Sequence, residues 1–148
     1  MDLVKAEVER VIGTTGQDYA VVVRAEGRAF LIFVGQPEVV TIYRELKGET
    51  TPRPMPHDLV VNLMQGFDIE VRLVVISAIV DNVFCATLLM ARRDDDESSE
   101  LSHEVRLDLR ASDAMIIALK TGSELYVTRE VLEQTEDVSQ MLPDAESE

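Results

Sequence analysis

Near the middle of the chain, Arg53-Pro54-Met55-Pro56-His57-Asp58-Leu59 brings a guanidinium, an imidazole and a carboxylate together, with two prolines fixing the backbone. An unperturbed imidazole titrates near neutrality, so His57 can give or take a proton. Two further acids, Glu38 and Asp113, stand just inside segments that read as helices, and Arg110 lies shortly before Asp113. Phosphodiester hydrolysis needs a positioned water, a base or metal to activate it, and positive charge on the developing phosphorane. Hard divalent ions such as Mg²⁺ or Mn²⁺ take carboxylate and water oxygens. Glu38, Asp58 and Asp113 are therefore the candidate metal ligands, and with His57 the candidate catalytic groups. Arg53 and Arg110 can hold phosphate oxygens in a planar fork and are the candidate substrate ligands. Each group also has a plainer reading: an acid in a first helical turn complements the helix dipole, and an arginine beside it ties loop to helix in an ion pair.

These groups need helices to hold them. Pro56 suits a first helical position, so the central helix starts there, with Leu59, Leu63 and Phe67 on one face, Val60 and Met64 beside them, and Gly66 as a stop. Before it, Val4 to Ile12, Tyr19 to Ala25 and Ala29 to Val34 read as strands, with Glu26-Gly27 as a tight turn. The third is apolar on both faces and reads as a central strand. Gly35-Gln36-Pro37-Glu38 opens a helix with Val39, Ile42, Tyr43 and Leu46 as its buried stripe; Lys47-Gly48 closes it. After the central helix the order recurs. Ile69 to Ile79 and Val83 to Ala91 are strands around an Asp81-Asn82 turn. Arg92 to Ser102 is an acidic hairpin loop, and His103 to Leu109 a half-exposed strand. Ser112 is a fair N-cap for a helix in which Ala114 to Leu119 is apolar nearly all round, and so buried on two sides. Aligning the halves puts Glu38 on Asp113. The expected fold is one α+β domain: a largely antiparallel sheet from two duplicated β-β-β-α units with an inserted central helix. Leu125-Tyr126-Val127 is a short last strand, and Thr128 caps a short helix through Glu133.

The 148 residues suit one domain with a real core. No apolar run is long enough to cross a bilayer, no signal peptide opens the sequence, and Cys85 is the lone cysteine, which fits a cytoplasmic protein. The net charge is −14, from 28 acidic and 14 basic residues. That weighs against a nucleic-acid partner, because such proteins carry a basic footprint. The acid is concentrated in Asp94-Asp95-Asp96-Glu97, Glu100 and the tail after Glu133, so the remainder is nearer balance. Residues 136–148 read as an acidic, disordered tail behind a domain of residues 1–135. Phosphate-cradling glycine loops, a nucleophile elbow and zinc spacing are all missing from the sequence.

In combination, Gly35-x-x-Glu38, Arg53-Pro54-x-x-His57-Asp58-Leu59, Arg110-x-Ser112-Asp113-Ala114 and Tyr126-Val127 resemble the bifunctional nuclease (BFN) domain family. The family commonly has Thr where Pro56 stands, Pro where Ala111 stands and often Ala where Val39 stands; none of these differences removes a charged group. The resemblance implies a small α+β domain that self-associates and cleaves both DNA and RNA, so a nucleic-acid partner, a homo-oligomer and a metal-assisted hydrolase are expected. Two other readings stand beside it. One is a non-catalytic oligomeric module that binds a protein or ligand, favoured by the acidity and the lack of an aromatic platform. The other is a hydrolase of a smaller phosphoester. Convergence of His57, Asp58, Glu38 and Asp113 in one open cleft is expected of a nuclease; in the binding module these groups are expected to pair off with arginines or backbone and leave no vacancy.

Overall fold

The computed structural model describes residues 2–93 and 104–142. The chain runs β1 (Leu3–Gly13), β2 (Tyr19–Ala25), β3 (Arg28–Val34), α1 (Gln36–Lys47), α2 (Pro56–Gly66), β4 (Ile69–Val80), β5 (Val83–Arg92), β6 (Val105–Arg110), α3 (Ala111–Thr121), β7 (Leu125–Thr128) and α4 (Arg129–Gln134). All strands join one sheet in the order β3-β2-β1-β7-β4-β5-β6. Every pairing is antiparallel except β4 with β7. The fold is thus α+β. Two three-stranded meanders flank β7, and each runs into a helix, α1 or α3. Most of the expected acidic loop, and His103, lie outside the described residues.

Turn chemistry sets the meanders. Glu26 and Gly27 both adopt positive φ, as do Asp81 and Asn82, the left-handed pair that matches the twist of a two-residue hairpin. Gly48 and Gly122 end α1 and α3 in the same left-handed region, which glycine enters without a Cβ penalty. Strand β3, expected to be central, is an edge strand. Its inner residues Ala29, Phe30 and Ile32 are buried, but Phe33 is exposed. Two things make β3 read as central. Its backbone edge is covered by the segment after α4, where Val138 N–H donates to the Ala29 carbonyl at 2.8 Å and Asp137 accepts from Ala29 N–H at 3.1 Å. Its ring Phe30 stacks on Phe84 of β5, centroids 5.9 Å apart. The tail expected to be disordered from residue 136 thus begins against the sheet.

That ring contact shows how the sheet is bent: β3, at one edge, meets β5, near the other. Helix α3 lies in the resulting hollow. Ala114, Met115, Ile116, Ile117 and Ala118 are all buried, as its apolar circumference requires. They join Val74, Ile76 and Leu88 of the sheet, Ile42 of α1 and Met64 of α2 in one core. Helix α2 faces differently from expectation. Val61 and Met64 are its buried residues, whereas Leu59, Leu63 and Phe67 are 56%, 52% and 69% exposed. In α1, Val39 and Ile42 are buried but Tyr43 is not. The apolar stripe gives the period of these helices. Which side of it meets α3 depends on packing.

Candidate active site

The third residue of each of the helices α1, α2 and α3 is an acid: Glu38, Asp58 and Asp113. In the first turn, carboxylates face free backbone N–H groups and the positive end of the dipole. Strand β6 passes into α3 without a loop, so Arg110 ends the strand and is itself the N-cap residue; the expected cap, Ser112, is buried one residue inside the helix start. Gly35 holds the same N-cap place before α1. A Cβ there would sit 2.6 Å from Glu38 Oε2, so glycine leaves room for that carboxylate to fold back over the helix start. Pro56 is the first residue of α2, with Met55 as its cap residue, and Met55 N–H donates to Asp58 Oδ2 at 2.8 Å. The central helix is thus capped by its own third residue, and needs no hydroxyl at position 56.

Because the bent sheet brings the ends of β3 and β6 together, the starts of α1 and α3 are neighbours, and α2 delivers His57 to them. His57 Nε2 is 2.8 Å from Asp113 Oδ1. Arg110 grips the same carboxylate from its other side, Nε to Oδ2 at 2.8 Å and Nη2 to Oδ1 at 2.9 Å. Its Nη1 reaches Glu38 Oε1 at 3.2 Å. Four of the six candidate residues therefore form one network across three helix starts. Hydrogen bonds from Arg110 hold the Asp113 carboxyl below its ordinary range; burial opposes the shift and His57 adds to it. The paired acids raise the Arg110 pKa in turn.

The two remaining candidates lie elsewhere. Asp58 turns from its neighbour His57 to Lys120 of α3, Oδ1 to Nζ at 2.6 Å, and Lys120 also meets Glu45 of α1 at 2.5 Å. The ammonium is a part-buried bridge among α1, α2 and α3. Lys120 holds the Asp58 carboxyl below its ordinary range, helped by the Met55 N–H. Burial alone would lower the Lys120 pKa, but its two carboxylate partners outweigh it and raise the value. Arg53 is exposed, and among the described residues its guanidinium has no partner.

A divalent ion does not fit this arrangement. Asp58 is in a different network from Glu38 and Asp113, and both of those acids already accept from Arg110. Among the described residues, no three His, Cys, Asp or Glu side chains are placed to hold a metal. The expected ligand set of Glu38, Asp58 and Asp113 is thus divided by Lys120 and filled by Arg110.

Residues 21–140 match the family described as the bifunctional nuclease domain. This span contains both networks. The chain belongs to the bifunctional nuclease domain family. Its relatives include two uncharacterized proteins of Mycobacterium tuberculosis, Rv1829 and MT1877. Each is 30% identical over 125 residues, which cover 84% of this chain and 68% of the relative.

Within this bifunctional nuclease domain, sequence reasoning missed Glu45 and Lys120. Lys120 was legible only as a basic residue in the last turn of a helix, and Glu45 as a polar position on α1. Their partners or surroundings lie on other elements, so local spacing carried no signal for them. Among the described residues, no helix is long and apolar enough to cross a membrane.

Proposed function

We propose that the protein is a nuclease that hydrolyses phosphodiester bonds of DNA and RNA at His57, Asp113 and Arg110. The supporting observation is the 2.8 Å contact between His57 Nε2 and Asp113 Oδ1, made between the starts of α2 and α3 and flanked by the Arg110 guanidinium. An ionised Asp113 selects the tautomer with the proton on Nε2 and leaves the Nδ1 lone pair to accept a proton. Among the described residues Nδ1 has no partner. His57 is therefore the general base: Nδ1 takes the proton as the water oxygen bonds to phosphorus, and the P–O bond to the leaving oxygen breaks, that oxygen taking up a proton from solvent. Asp113 stabilises the imidazolium that forms. A guanidinium carries five N–H donors. Arg110 uses three on Asp113 and Glu38, so two remain for non-bridging phosphate oxygens as charge grows on them. Its side chain is 62% exposed and open to substrate. Glu38 holds the far end of that guanidinium in place.

Cleavage of single- and double-stranded DNA and RNA tests this reading, with Mg²⁺, Mn²⁺ or chelator present. His57→Ala is expected to lower the rate by about 10²–10⁴, and chelator to leave it unchanged. A rate equal in wild type and His57→Ala would show the network to be an ion-pair clamp in a binding module. A rate abolished by chelator would require a cation that displaces Arg110. The self-association that accompanies the family resemblance would be through α2, whose Leu59, Leu63 and Phe67 a second copy would cover. Sedimentation of wild type against Leu63→Lys decides it, with dissociation of the variant expected.

A further inference from the structure

We propose that the groove between α1 and α2 is a subsite for a second phosphate of a polynucleotide backbone, with Arg44 as its ligand. The proposal rests on the reading of His57, Asp113 and Arg110 as the phosphodiester site, and names the substrate class that site takes. The groove encloses about 410 Å³, with His57 and Glu38 among its lining residues and Arg44 and Met55 on its walls. Pro37, Thr41 and Arg44 all line it, and their spacing puts them on one face of α1. Arg44 is six positions beyond Glu38, or about 9 Å along the helix axis. A second hollow of about 380 Å³ shares Thr41, Arg44 and Met55, so Arg44 borders both.

Of the cations lining the two hollows, Arg44 is set apart by its lack of a side-chain partner among the described residues. Glu38 is compensated by Arg110. Further on, Lys120 is held by two carboxylates, Glu45 and Asp58, and Glu49 lines the second hollow without its carboxylate reaching the Arg44 guanidinium. Arg44 is half-buried, and its guanidinium has no carboxylate, hydrogen-bond or ring partner among the described residues. A last-turn cation can serve only to complement the helix dipole. Lys47, in the same turn, is placed for that on the exposed side, 5.6 Å over the Tyr43 ring. Arg44 instead lines the groove. With 28 acids to 14 basic residues in the chain, a part-buried guanidinium left without a carboxylate is placed to take an anion from outside. A planar fork suits the two non-bridging oxygens of a phosphodiester. A small ester with one phosphate, seated at His57, would leave Arg44 empty.

The test compares a single-stranded oligonucleotide with bis(4-nitrophenyl) phosphate, a diester with one phosphate, in wild type, Arg44→Ala and Arg44→Lys. For the oligonucleotide, Arg44→Ala is expected to raise KM about tenfold at unchanged kcat. It should also make the salt dependence of binding shallower by about 0.7 in log–log slope. Arg44→Lys should recover part of the affinity, and cleavage of the small diester should not change. Equal losses on both substrates, or no change on the oligonucleotide, would overturn the subsite. If wild type cleaves neither substrate, oligonucleotide binding followed by fluorescence anisotropy separates the two claims. Affinity that depends on Arg44 would keep the subsite while the nuclease reading falls; affinity equal in wild type and Arg44→Ala would overturn it.

Discussion

His57 and Arg110 share one carboxylate, so Asp113 is the residue on which the candidate site turns. Its depressed pKa makes its contribution pH-dependent with a definite sign. The folded carboxyl titrates below its ordinary value of 3.8. The stability it adds is therefore complete above that value and lost as pH falls through the folded pKa. Thermal melting of wild type and Asp113→Asn should differ by a constant amount at higher pH, and the gap should close in acid. A gap that persists unchanged at the lowest accessible pH would mean that the Arg110 and His57 contacts do not depend on charge. Gly35 offers a finer probe. Its replacement by alanine meets only the mobile end of Glu38 at 2.6 Å, so the fold should survive while Glu38 swings off Arg110. A melting point within a few degrees of wild type with reduced cleavage would fit; unchanged cleavage would remove Glu38 from the site.

Among the elements, α2 depends on α3 for its orientation. Val61 and Met64 supply its apolar contact, and the Lys120 ammonium ties it at Asp58 while also holding Glu45 of α1. The Lys120 side chain is only 10% exposed. Its removal leaves two part-exposed carboxylates without the cation they share. Lys120→Ala should cost roughly 2–3 kcal/mol in urea denaturation, with α2 the first element to lose hydrogen-exchange protection. A cost under about 0.5 kcal/mol would place this trio with ordinary surface pairs. The same tie fixes His57, which adjoins Asp58, so the variant should also weaken cleavage without touching a catalytic residue.

For the molecule as a whole, a net charge of −14 and the proposed polynucleotide substrate pull in opposite directions. The proposed phosphate ligands are two arginines, Arg44 and Arg110. Counterion release from two phosphates of a single strand gives a log–log salt slope of about −1.4. Anisotropy titrations over a range of salt concentrations check this. A slope several times steeper would indicate a larger basic surface than the groove provides.

The sequence by itself determined the local features. Alternation and turn residues marked all seven strands, prolines and glycines marked where α1 and α2 start and stop, and the acids at the helix starts were legible as a set. These are properties of neighbouring residues, and the chain's own periodicity expresses them. Only the tertiary structure decided the rest. Bending of the sheet, seen where Phe30 meets Phe84, joins the ends of β3 and β6 and so brings Arg110 to Glu38. Packing against α3 turned Leu59, Leu63 and Phe67 outward, sent Asp58 to Lys120, and left Arg44 facing an open groove. Partners such as Glu45 and Lys120 stand far apart in the chain, and no local pattern records a contact made between elements.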